Sequence, residues 1–379
     1  MNGADVEVLI AGGGPVGLFL GCSLAQAGVS LAVLEQRQTI NTGSRSIGIH
    51  PPALERFATL GLVEELLARG IKVRRGQAFV NTRLIGTLDF TALPEPYRYV
   101  LTLPQEQTEE LLRQRLYGLR PEALRLGASV TAIEQDGLGV TVLYQQGGHR
   151  RLRGRYLVAC DGKRSLVRQQ LAISWRGGSY PDTYLMGDVR DDSSLGDDAA
   201  IYLCDAGVVE SFPLPGGLRR WVVKTEHYLK GATAADLAGL LAARLGIAVA
   251  SASATMVSAF GVQRYLAGRL VAGRVILAGD AAHVVSPIGG QGMNLGWLDA
   301  AHLAELLPRL LRGEAGVDLA TYQQQRQRAT RTAIRRAEFN MCLGRRWRYP
   351  GLRHTAVRAM LRPSLAGLLA RVFTMDGLA

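Results

Sequence analysis

The sequence predicts an α/β fold: a βαβ-based domain, a smaller sheet-based domain set into it, and C-terminal helices. Three observations predict this. A strand, a Gly-rich turn, a helix and a second strand follow one another within the first 35 residues. Between 175 and 225 the pattern changes to turn signals, shorter strands and more aromatics. From 318 to 379 the chain reads as basic helices broken near Pro350 and Pro363.

The elements follow in order. Residues 5–11 (DVEVLIA) read as a strand buried on both faces, 15–28 as a helix ending at Gly28, and 30–35 (SLAVLE) as the next strand. No charged residue occurs from Val8 to Leu34, a length that imitates a membrane span. The glycines at 12, 13, 14, 17, 21 and 28 and Pro15 favour a buried strand, a tight turn and a buried helix instead. Residues 51–69 read as one helix with Leu54, Phe57, Leu60, Leu66 and Leu67 on its apolar side, and 105–119 as an amphipathic helix. Strands are expected at 128–134, 140–145 and 155–160. Pro213, Pro215, Gly216 and Gly217 mark a turn between SFPL and RRWVVK. A helix at 233–245 precedes a strand at 274–279, a Gly-rich turn and a long helix at 290–311.

With 379 residues and 47% hydrophobic content the chain can bury a large core, and 20% charged residues argue against long disordered tails. The net charge of +12 suits an anionic ligand such as a dinucleotide; nucleic acid or an acidic membrane face would also accept it. Cys22, Cys160, Cys204 and Cys342 lie far apart, without a CxxC pair or a metal-site spacing, and read as small core residues in a reducing compartment. No metal is expected. Asp5 and Glu7 stand where the basic region of a signal peptide would be, so the expected location is cytoplasmic.

Gly12-Gly13-Gly14-Pro15-Val16-Gly17 is a GxGxxG placed after a strand and opening a helix. Its glycines allow a tight turn, close approach to a pyrophosphate and close helix–strand packing, and the helix N-terminus offers free N–H groups to phosphate. Glu35 ends the next strand, where an acid can bond ribose hydroxyls, and Gln36 and Arg37 follow as candidate cofactor contacts. This turn alone does not separate FAD from NAD. A second region does: Gly279-Asp280-Ala281-Ala282-His283 followed by Ser286-Pro287-Ile288-Gly289-Gly290-Gln291-Gly292-Met293-Asn294. Asp280 can bond ribityl hydroxyls, and the N–H groups of 289–294 can hold negative charge on a reduced isoalloxazine.

GGGPVG, CDGKRSLVR at 160–168 and GDAAHVVSPIGGQGMNLG at 279–296 together make the sequence resemble the FAD-dependent aromatic hydroxylases of the para-hydroxybenzoate hydroxylase type, the group A flavoprotein monooxygenases. The order and spacing of the three agree, and the resemblance spans nearly the whole chain. It implies a Rossmann-type FAD-binding domain of residues 1–72, 98–174 and 262–379, the C-terminal helices included. Residues 73–97 and 175–261 would form the substrate domain, a sheet lying over the flavin. It implies that Asp161 with Gly162 serves the pyrophosphate region and NAD(P)H binding. Arg45 would lie near the FAD phosphates, Gln105 would contact the cofactor, Val130 would meet the adenine through its backbone, and Pro287 would sit at the reacting edge of the flavin. Arg220 matches an arginine that helps move the flavin; Arg219 fits almost as well, and either also reads as a solvated strand end.

The implied reaction uses FAD as resident cofactor and NAD(P)H as a transient co-substrate. O2 adds at flavin C4a, and the hydroperoxide passes its distal oxygen to substrate. Tyr202, Phe212, Trp221 and Val223 are candidate substrate contacts, each of which also reads as plain core. His50, His227 and His283 are candidate bases for a phenol, none singled out. The apolar character of 175–261 suggests a polyketide-, quinoline- or quinone-like substrate of natural-product tailoring. Epoxidation, Baeyer–Villiger oxidation and quinone-biosynthesis hydroxylation stay open beside hydroxylation. From a different class, a non-catalytic flavin-binding accessory protein also stays open. The C-terminal arginines, among them Arg335, Arg345, Arg353 and Arg362, read as the solvated face of packed helices, with membrane contact the less favoured reading. Nucleic acid is not expected as a partner, because these arginines are not interleaved with stacking aromatics.

Overall fold

The computed structural model describes residues 4–39 and 46–378. The strand Val6–Ala11 is central to a sheet with a five-stranded parallel core, in the order Val275–Leu277, His149–Ala159, Val6–Ala11, Leu31–Glu35, Leu124–Leu126. Val8, Leu9, Ile10 and Ala11 are fully buried, as are Val33, Leu157 and Val158, because helices or strands cover both faces. The charge-free run from Val8 to Leu34 is thus a strand, a turn, the helix Pro15–Gln26 and a strand. No helix among the described residues is long and apolar enough to cross a membrane.

The parallel arrangement brings the five strand C-termini to one edge. Gly12 follows Ala11, Glu35 closes its strand, Cys160 and Asp161 follow Ala159, and Gly279 and Asp280 follow Leu277 by two and three residues. A crevice outside such an edge is where open α/β sheets place ligands.

A second, eight-stranded sheet runs in the order His283–Val284, Met256–Ala267, Trp175–Arg190, Leu218–Thr225, Gly207–Leu214, Ala199–Cys204, Arg75–Val80, Arg83–Asp89. The helix Ala234–Leu245 covers one face of it through Leu237, Leu241 and Leu245. A capping box between Thr233 and Asp236 starts this helix and Gly246, in the left-handed region, ends it. A small third sheet pairs Gly48–Ile49, Val100–Thr102 and Ile71–Val73 in that order.

Several expectations are corrected. The helix expected over 51–69 is two, Pro51–Thr59 and Val63–Arg69, because Gly61 turns the chain at φ +71°. The stretch after 175 does not hold only short strands: Trp175–Arg190 has sixteen residues and pairs along both edges. The strand expected at 155–160 begins at His149. Met256–Ala267 runs as one strand through the expected boundary at 261. Cys342 is exposed rather than a core residue.

The C-terminal helices are Leu319–Gly344, Pro350–Met360 and Pro363–Phe373. Their arginines are not simply a solvated face. Arg353 is fully buried and donates to the carbonyls of Arg345, Leu203 and Cys204, while Arg345 grips Asp182 on the long strand.

Candidate active site

One cavity of about 1040 Å³ reaches from the C-terminal edge of the parallel sheet to the inner face of the second sheet. It slightly exceeds the range of roughly 300–1,000 Å³ usual for small-molecule pockets. At the parallel sheet, Gly12, Gly14, Pro15, Val16, Glu35, Gln36, Arg37, Gln105, Val130 and Asp161 line it, and Asp280 enters from the third motif. Pro287, Gly289, Gly290, Gly292 and Met293 line the middle. Arg45 lies outside the described residues.

The turn at 12–17 explains its own composition. Gly12 has φ +103°, and a Cβ there would stand 2.3 Å from the Cys160 carbonyl oxygen. A Cβ on Gly17 would stand 1.9 Å from the carbonyl oxygen of Gly12, so Gly17 packs the helix against the strand and is not on the cavity surface. Glu35 accepts from the Gly13 amide at 2.7 Å and from the Arg37 amide and Nε at 2.8 and 2.9 Å. Burial opposes its ionisation, but these hydrogen bonds and the Arg37 charge prevail and lower its pKa. Gln105 donates to Glu109 at 2.7 Å; burial in turn pushes the Glu109 carboxyl up.

The second and third motifs are tied together. Arg168 donates to the carbonyls of Lys163 and Ala281 at 2.8 and 3.0 Å and stacks on Trp175 at 3.8 Å. Asp161 Oδ2 accepts from the Val167 amide while Oδ1 is buried with no partner, and burial raises its pKa. Asp280 is accessible from the cavity; desolvation raises its pKa against the charges of His283 and Lys163.

The helix Gln291–Leu311 begins after Gly289 and Gly290, at φ +89° and +66°. Gln291 and Asn294 do not line the cavity. Asn294 accepts from the His50 amide and donates to the carbonyls of Gly48 and Gly290, pinning the helix start to the segment at 48–50. Both polar side-chain atoms of Gln291 are buried without a partner. His50 lines the cavity, and burial pushes its pKa down to about 4, so the ring is neutral near pH 7. His227 is exposed and away from the cavity, and His283 is bonded to Asp299 at 2.6 Å.

The far end of the cavity corrects the expected substrate contacts. Phe212 lines it; Tyr202, Trp221 and Val223 do not. Those three point to the opposite face and pack with Leu237, Leu241 and Leu245 of the covering helix. Side chains alternate along a strand, so the neighbours of Trp221 and Val223 face the cavity: Arg220 and Val222. Met186, Ile201, Val208, Glu210 and Phe260 join them, together with Leu361, Leu369 and Phe373 of the C-terminal helices. The alternation in the sequence does not single out this set, because Arg219 fits the expected role almost as well as Arg220 and the two point to opposite faces. Neither arginine is a solvated strand end: Arg219 and Arg220 are 0% and 3% exposed. Arg219 bonds Asp191, and Arg220 bonds Asp188.

The model of the family described as "FAD binding domain" matches residues 5–337. The chain belongs to this FAD-binding family. A 6-methylpretetramide 4-monooxygenase of Streptomyces rimosus is 37% identical over 332 residues, covering 84% of this chain and 59% of that protein, so the match spans about three fifths of the relative. Among solved structures, p-nitrophenol 4-monooxygenase of Pseudomonas putida DLL-E4 has a TM-score of 0.87 at 25% identity and covers 98% of both chains. An anhydrotetracycline hydroxylase of Streptomyces rimosus has a TM-score of 0.81 at 32% identity, covering 97% of this chain and 75% of that one. FAD is the cofactor of this FAD-binding chain, and the cavity fits it: a cradle at Gly12 that any Cβ would fill, an unpartnered carboxylate oxygen at Asp161, and the cations Arg37 and Arg164 on its walls.

Proposed function

We propose that this chain is an FAD-dependent, NAD(P)H-using monooxygenase that places one atom of O2 on an aromatic or polyketide-like apolar molecule, as in natural-product tailoring. The continuity of one cavity between the dinucleotide turn and an apolar chamber carries this reading. Bound FAD supplies the redox chemistry between NAD(P)H, O2 and substrate.

The chain supplies binding, orientation and exclusion of water. Gly12, Gly14, Pro15 and Val16 would take the pyrophosphate at the helix N-terminus. Glu35, already holding Gly13 and Arg37, keeps lone pairs for ribose hydroxyls. Gln36, Gln105, Val130 and Asp161 would line the adenosine and phosphate half, and Asp280 the ribityl chain. Pro287, Gly289, Gly290, Gly292 and Met293 line the stretch between the two ends and would place the reacting edge next to the chamber. Leu361, Leu369 and Phe373 form apolar walls that would keep water from the chamber. By this reading the segments 73–97 and 175–261 serve the substrate, the C-terminal helices help to wall its chamber, and the rest of the chain serves FAD.

The test is a panel of phenols, quinones and polycyclic aromatics under labelled O2. Substrate-dependent NAD(P)H oxidation with one labelled oxygen in the product is expected with the larger apolar members. Stimulation by small benzoates alone would overturn the substrate class. Yellow protein with no NAD(P)H oxidation on any ligand would favour a flavin-binding accessory role.

A further inference from the structure

The second sheet and the turns at its strand ends carry five buried or nearly buried acids, and four of them have an arginine in reach. Asp182 is gripped by Arg345, Asp188 by Arg220, Asp191 by Arg219 and Asp198 by Arg75. The fifth, Glu210, is different. It lies on the strand Gly207–Leu214, opposite Ile201 on one neighbouring strand and Val222 on the other, and all three line the cavity. Glu210 is 9% exposed. Among the described residues no hydrogen bond or ion pair engages its carboxyl group. Burial pushes this carboxyl up to about 7, so near neutral pH it both donates and accepts hydrogen bonds.

Its surroundings are apolar. Met186, Ile201, Val208, Phe212, Val222 and Phe260 form the chamber wall around it. Tyr184, two residues from Met186 and on the same face, is also buried with a hydroxyl that has no partner. Arg220 faces the same cavity with its charge already held by Asp188. A carboxyl set into such a wall loses its hydration and gains nothing from the protein in return. A ligand hydroxyl would supply the missing partner.

We propose that Glu210 is the polar anchor of the substrate chamber: its carboxyl group binds a neutral hydroxyl on a polycyclic aromatic substrate and turns away ring compounds that carry a carboxylate. This rests on the monooxygenase reading and narrows its substrate class. Glu210 acts here by positioning and selection, and the proposal asks no bond making or breaking of it.

Equilibrium binding to the FAD-loaded protein tests it, by calorimetry with three probes: a dihydroxyanthraquinone, its dimethyl ether and an anthraquinone carboxylate. The native protein should prefer the hydroxylated probe over the ether by roughly tenfold to a hundredfold, the range of a hydrogen bond to an ionisable group. Glu210→Leu should erase that preference while FAD content stays unchanged. Glu210→Gln keeps a donor and an acceptor, so it should retain most of the preference and gain affinity for the carboxylate probe by about tenfold. That gain of binding is a readout that damage to the fold would not produce, and it decides the matter should Glu210→Leu fail to hold FAD. An unchanged hydroxyl-to-ether ratio in an FAD-replete Glu210→Leu, or no gain for the carboxylate in Glu210→Gln, would overturn the anchor. If instead the native protein incorporates labelled oxygen into no aromatic at all, the monooxygenase reading itself fails.

Discussion

Arg220 holds Asp188 through a two-pronged pair, Nε to Oδ1 at 2.6 Å and Nη2 to Oδ2 at 2.7 Å, across the central strands of the second sheet. Both residues are nearly buried, and Arg220 forms part of the cavity wall. Removing the acid takes the two-pronged partner from a guanidinium that stays nearly buried. Asp188→Ala should therefore cost about 3–5 kcal/mol in a urea unfolding series. Arg220→Lys keeps the charge and loses the planar fork, and should cost less, about 1–3 kcal/mol. Equal stability of Asp188→Ala and the native protein would show that the pair is not what fixes Arg220.

A second buried pair supports the third motif from behind. Arg326 donates to Asp299 Oδ1 at 2.7 Å, while Asp299 Oδ2 takes the Gly279 amide at 3.0 Å and lies 2.6 Å from His283. Burial works against the Asp299 charge, but His283 and Arg326 outweigh it and its pKa is lowered. A carboxyl with a depressed folded pKa contributes stability above its unfolded pKa of about 3.9 and loses it as pH falls through the folded value. Asp299→Asn should cost about 3–5 kcal/mol at pH 7. The gap between native and variant should hold down to about pH 5 and close below about pH 4. A gap that widens in acid would contradict this assignment.

How much of this was legible in the sequence differs between the two halves. The first half was readable because GxGxxG, Glu35 and the Asp280 turn each sit at a strand end, where the parallel sheet gives them one shared edge. The second sheet was not readable residue by residue, because both of its faces are apolar. Leu185, Trp221 and Val223 meet the helix Ala234–Leu245, while Met186 and Val222 meet the cavity. With no polar face, period-two alternation cannot say which parity faces the ligand. The Asp299–Arg326 pair was equally hidden, since its partners lie 27 residues apart on successive helices. The break at Gly61 inside the stretch expected as one helix hid for another reason: an isolated glycine can be tolerated within a helical pattern as well as end one.

The cradle at Gly12 makes a sharp prediction about FAD. Gly12→Ala would force a Cβ to 2.3 Å from the Cys160 carbonyl oxygen at a φ of +103°. Backbone on both sides must then shift, and the turn loses its fit to a pyrophosphate. FAD should bind on the order of tenfold more weakly or worse, corresponding to at least about 1.4 kcal/mol. Flavin absorbance of the purified variant, followed by titration with FAD, measures it. Gly118→Ala is the control: a Cβ there meets nothing within 4 Å, and its helix should gain about 0.5–1 kcal/mol with FAD binding unchanged. Undiminished flavin in Gly12→Ala would mean the pyrophosphate lies elsewhere.

The two faces of the strand Leu218–Thr225 should separate in mutational data. Trp221 is 2% exposed and packs towards the covering helix, so Trp221→Ala removes core and should cost about 3–5 kcal/mol of stability. Its effect on substrate affinity, measured on the fraction that remains folded and flavin-loaded, should be slight. Val222 is its neighbour on the cavity face, opposite Glu210 and Met186. Val222→Phe adds bulk to the chamber and should leave the unfolding midpoint nearly unchanged, because the new ring has open space to enter. It should raise KM for a polycyclic substrate about tenfold, the scale of a lost ring contact of about 1.4 kcal/mol. The opposite result, a KM effect from Trp221→Ala and none from Val222→Phe, would put the ligand on the other face of this sheet.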